Sequence, residues 1–60
     1  MDGRNYIVSW NARGMDFNYN GYINIWDADR ESAKEKAITL VSRDMLISRN
    51  LITVTNVSIQ

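Results

Sequence analysis

A single stretch of this chain repeats its apolar residues at helical spacing, and strand-like alternation lies on both sides of it. Ala33, Ala37, Ile38, Leu40, Val41, Met45 and Ile47 fall within one broad arc of a helical wheel, the spacing that turns one side of a helix toward a core. Asp29 is placed to cap the start of the helix, and Glu31 lies near its positive end. Asp44 interrupts the apolar arc, so the helix is expected to fray or end between about residues 43 and 48. One helix cannot bury its own apolar side, so the rest of the chain has to supply a sheet for it to lie on.

The flanking segments have the composition of strands. In residues 4–12, Tyr6, Val8 and Trp10 alternate with Ile7, Ser9 and Asn11, a period of two in strand-forming residues. Arg13-Gly14-Met15-Asp16 reads as a turn, with the glycine free to take positive φ. Residues 17–26 are again strand-like, but they contain Asn20-Gly21, a strong hairpin signal. Two five-residue arms would leave the first strand unpaired, so a long second strand with a kink or bulge at Gly21 is preferred. Ser48-Arg49-Asn50 connects the helix to a third strand, residues 51–59. There Ile52 and Val54 share one parity and Val57 and Ile59 the other, which implies a bulge near Thr55-Asn56 or a change of partner. A right-handed crossover through the helix then puts strand one in the middle. The expected fold class is α+β: a two-layer β-β-α-β sandwich over residues 1–60, one domain. Its three-stranded sheet has order 2-1-3, with the helix on one face.

A sixty-residue domain buries only about 60% of the surface its unfolded chain exposes. Chains this short usually add disulfides, a metal or a partner. This one has no cysteine and no histidine, which removes disulfides and argues against a zinc site. Self-association remains, and a homodimer is expected. The seven basic and seven acidic side chains cancel, which offers neither the positive excess of a phosphate-binding domain nor the negative excess of a DNA mimic. No apolar leader or membrane-spanning stretch is visible, so a cytoplasmic location without membrane contact is expected. No cofactor is expected either.

The inventory for catalysis is thin. There is no histidine for proton transfer, no cysteine nucleophile, and no serine in a Gly-x-Ser-x-Gly turn. The three glycines are isolated, so no phosphate-cradling loop exists. Asp27, Asp29 and Glu31 open like a calcium loop, but Ser32 and Ile38 stand where its glycine and closing glutamate belong. The run reads instead as a strand exit followed by a helix cap, and no metal site and no enzyme activity are expected.

The second strand carries the functional argument. Ile23 and Ile25 have one parity and Tyr22 and Trp26 the other. Whichever set the helix covers, large apolar side chains remain on the uncovered side, beside Ile7 or Trp10. Exposed apolar patches of this kind mark interaction surfaces. Trp10, Tyr22 and Trp26 are the candidate contact residues, with Arg13 at the turn as the charged one, because interface hot spots favour Trp, Tyr and Arg. The same aromatics, with Arg4 and Arg13, support an alternative reading as a platform for single-stranded nucleic acid.

Several segments together form a wider pattern: Tyr6-Ile7-Val8-Ser9-Trp10, the glycine-containing turn, Trp26-Asp27-Ala28-Asp29, the helix from Arg30 through Ala37, and the closing Ile52-Thr53-Val54-Thr55-Asn56-Val57. Over nearly its whole length the chain resembles the small β-β-α-β proteins common in phage and prophage genomes. The resemblance implies a fold and a provenance and carries over no functional residues. Some small phage proteins of this size act by binding and blocking a host protein. The resulting expectation is a non-enzymatic protein-interaction module, a homodimer, acting as a phage-encoded inhibitor of a host protein.

Overall fold

The computed structural model describes residues 3–60. Strand β1 spans Arg4–Arg13, β2 Asn18–Asp27, helix α1 Arg30–Met45, and β3 Ile52–Ile59, which a single 3-10 turn at Arg49–Leu51 introduces. The sheet has the order β2-β1-β3, antiparallel throughout. This is the α+β arrangement expected from the sequence.

Residues 14–17 close the hairpin, and the Gly14 N–H donates to the Phe17 carbonyl at 3.0 Å. The Phe17 ring occupies the place where a Cβ at Gly14 would stand. No described glycine has positive φ, so Gly14 serves close packing where the sequence suggested a left-handed turn. From Arg13↔Asn18 to Arg4↔Asp27 the β1–β2 register runs without a break. The kink expected at Gly21 is therefore absent. Gly21 lies opposite Trp10, and a Cβ there would stand 2.8 Å from Cζ2 of the indole. The glycine makes room for a ring. The bulge falls where β3 led us to expect it: Ser9 pairs with Asn56 and Trp10 with Val54, which leaves Thr55 as the extra residue. The inserted residue restores parity, so Ile52, Val54 and Val57 share one face.

The core lies between that face and α1. Tyr6, Val8 and Ala12 of β1, Ile25 of β2, and Ile52 and Val57 of β3 are buried against Ala33, Ala37 and Val41. The helix contributes mainly small residues here, which let its backbone approach the sheet, while Tyr6, Val8 and Ile25 supply the bulk. Asp29 caps the helix, its Oδ1 accepting from the Ser32 N–H at 2.8 Å. At the other end Leu46 turns left-handed, with φ of 56°. The Ile47 N–H donates to the Ser42 carbonyl at 3.1 Å, and the Ser42 hydroxyl donates to the Ile47 carbonyl at 2.6 Å.

Candidate functional site

The pairing decides which side of β2 the helix covers. Arg4 stands opposite Asp27, so even-numbered residues of β1 share a face with odd-numbered residues of β2. Tyr6 and Val8 are core residues. Ile25 and Ile23, their partners, therefore face α1, and Tyr22 and Trp26 project from the open face. Tyr22 is 71% exposed and Trp26 66%. Four residues apart on one strand, they stand about 14 Å from each other along it.

The open face is a grid. Asn24, Ile7 and Ser58 make one row, Tyr22, Ser9 and Asn56 the next, and Asn20, Asn11 and Thr53 a third. Ile7 is half-buried. The rest is amide and hydroxyl, so the apolar patch expected on this side reduces to two rings and one aliphatic chain. The asparagines hold one another in place: Asn11 Nδ2 donates to Asn18 Oδ1 at 2.7 Å and to Asn20 Oδ1 at 2.9 Å. At the far end Asn5 Nδ2 donates to Gln60 Oε1, and the Gln60 N–H donates to the Asn5 carbonyl at 2.9 Å. None of the three rows contains a charged residue.

The four candidate residues are not all brought together. Tyr22 and Trp26 share the open face. Trp10 stands on the opposite, helix-facing side, half-buried over Gly21 and packed against the group of Ala12, Val41 and Ile52. Arg13 has the parity of the open face and is exposed at its hairpin end, opposite Asn18. Trp26 lies opposite Asn5, eight residues away along β1, which is about 27 Å. The sequence reading overlooked the asparagines. Asn18, Asn20 and Asn24 have the same parity as Tyr22 and Trp26, and that shared parity was the available signal.

Asp27 lies at the exit of β2 and is the most sheltered acidic group of the ion pairs, its side chain 11% exposed and 3.1 Å from Lys36 Nζ. The Lys36 hydrogen bond holds its carboxyl below the usual range; partial desolvation opposes this, and the Ala28 N–H reinforces it. Asp29 is engaged with Ser32 and Glu31 with Lys34, so the three carboxylates do not converge. Among the described residues no cluster of three or more metal-ligating side chains occurs, and no helix is long and apolar enough to cross a membrane.

No protein-family model, curated protein or solved structure matches the chain.

Proposed function

We propose that this chain is a small non-enzymatic binding module that recognises a protein partner through the open face of its sheet. The observation that carries this reading is the pair of Tyr22 and Trp26, held out at 71% and 66% exposure on a face whose three central rows carry no charge. Rings on a sheet lose little conformational freedom when a partner covers them, and such residues dominate interface energies. The surrounding Asn and Ser side chains are cheaper to desolvate than charges and can pair with a partner's backbone. A phosphate backbone finds little to hold it there: Arg13 lies at one end of the sheet, and the three central rows carry no cation. The provenance implied by the sequence pattern makes a cytoplasmic host protein the natural partner, blocked by occupation of its surface.

The test is a photo-reactive phenylalanine analogue in place of Tyr22, irradiated in the native host. A discrete adduct with a host protein is expected, distinct in mass from any adduct between two copies of this chain, and it should be lost when Trp26→Ala is added while the circular dichroism spectrum is unchanged. No host-protein adduct, or one indifferent to Trp26, would end the reading. Binding of a fluorescent single-stranded oligonucleotide that weakens steeply with salt would replace it with the nucleic-acid alternative.

A further inference from the structure

The two edges of the sheet differ in how they are protected. The Gln60 N–H donates to the Asn5 carbonyl, so Asn5 turns its backbone polar groups toward β3. By the alternation of an antiparallel ladder, Ile7 and Ser9 do the same, and Tyr6, Val8 and Trp10 turn theirs toward β2. Their partners Ile25, Ile23 and Gly21 turn inward in reply. The N–H and C=O groups of Asn20, Tyr22 and Asn24 therefore point out of the sheet along the free edge of β2, together with those of Asn18 and Trp26 at its ends.

On β3 the same alternation turns the Val57 carbonyl outward, and there Arg30 Nη2 donates to it at 2.7 Å. The bulge at Thr55 breaks that edge further. Bulges and cations are the usual guards against strand addition. β2 has neither. It runs ten residues without a bulge, a proline, a lysine or an arginine. Its one charge, Asp27, sits at the terminal residue and is taken by Lys36.

We infer that a second copy of this chain adds to the β2 edge, antiparallel about a two-fold axis at Tyr22, making one six-stranded sheet. The strand is self-complementary in that register. Asn20 meets the partner's Asn24, Asn18 meets the partner's Trp26, and the two Tyr22 side chains stand side by side. All five outward-facing residues are paired, neutral against neutral. Asp27 falls opposite the partner's Phe17, beyond the strand, so the two like charges stay far apart. Packing two open faces together would instead bury Asn20, Asn24, Asn11 and Asn56 in a dry interface, where each unpaired amide costs free energy. The edge satisfies backbone groups, whereas the face would strand side-chain ones. The edge binds through backbone groups and the open face through side chains, although Tyr22 and Trp26 belong to both, so self-association and capture of a host protein are measured separately and either can fail while the other stands.

Sedimentation equilibrium tests this with two doubly substituted chains. Asn20 and Asn24 are exposed, so both variants should fold. Wild-type mass is expected to rise from 6.9 kDa toward twice that value with concentration. Asn20→Lys with Asn24→Lys sets like charges against each other and should weaken association at least about tenfold. Asn20→Lys with Asn24→Glu sets opposite charges together in the same register and should associate at least as well as wild type. A wild-type chain that stays at 6.9 kDa up to millimolar concentration overturns the inference. So does equal dimerisation of the two variants, which would place the contact elsewhere. Asn20 and Asn24 also line the open face, so adduct formation there is read on the chain with both asparagines intact and not on these two variants.

Discussion

Leu46 and Gly21 show two ways in which a single residue departs from what its type suggests. Leu46 is the one described non-glycine residue with positive φ, 56°, and the residue is 91% exposed. It closes α1 in the left-handed conformation usually given to glycine, which for an L-residue costs about 1–2 kcal/mol. Its side chain recovers little of that, being almost wholly in water. Leu46→Gly should therefore stabilise the fold by about 1 kcal/mol and raise the melting temperature by about 4–8 °C. A thermal melt followed by circular dichroism measures this, and an unchanged or lower midpoint would mean that Leu46 makes a contact outweighing its strain. Gly21 is the converse case. Its neighbour Asn20 and its own conformational freedom suggest a turn, yet it lies in an unbroken strand because the Trp10 ring needs the space. The same residue type answers both demands, and only the residue across the strand tells them apart.

At the scale of elements, most of the architecture was legible because each segment carries its own signal. The Asp29 cap, the end of the helix near Asp44 and the parity change within Ile52–Ile59 all have local causes. The buried side of β2 was less legible, because both parities of that strand are apolar. The information was nevertheless present one element away. In β1, Tyr6, Val8, Trp10 and Ala12 form the more apolar parity, against Ile7, Ser9 and Asn11. A four-residue loop at 14–17 sets Arg13 against Asn18, and that register hands the buried parity to Ile23 and Ile25. The candidate site follows from it: Tyr22 and Trp26 go outward, while Trp10, read from the sequence as a contact residue, stands beside the core.

The tie between the end of β2 and α1 depends on pH. Asp27 is held below its ordinary value of 3.8 chiefly by Lys36. Because its pKa is lower in the folded chain, its ionisation contributes stability above 3.8, and this is lost as the pH falls through the folded value. Melts of the wild type and Asp27→Asn, taken from neutral pH downward, should show a gap in midpoint that closes below 3.8. A gap that stays constant would mean that the side chain matters for packing and not for its charge.

At the scale of the whole molecule, the difficulty is how little a chain of this size can bury. Its accessible surface is 4322 Å², against about 4000 Å² expected for a compact monomer of 6.9 kDa. The excess reflects its shape, 42 by 17 by 15 Å, with long strands under a single helix. A net stability of about 3–9 kcal/mol is the usual range for sixty residues. Association through β2 would add to this by mass action, about 2.7 kcal/mol when the free chain stands at 100 times the dissociation constant. For a domain this small that is a large fraction, on the order of 10 °C in melting temperature. Wild-type melts should therefore move upward with protein concentration, whereas the Asn20→Lys, Asn24→Lys chain should melt at one temperature throughout the range where it stays monomeric. A concentration-independent wild-type midpoint would mean that this single helix and sheet carry the fold alone, with the β2 edge left to water.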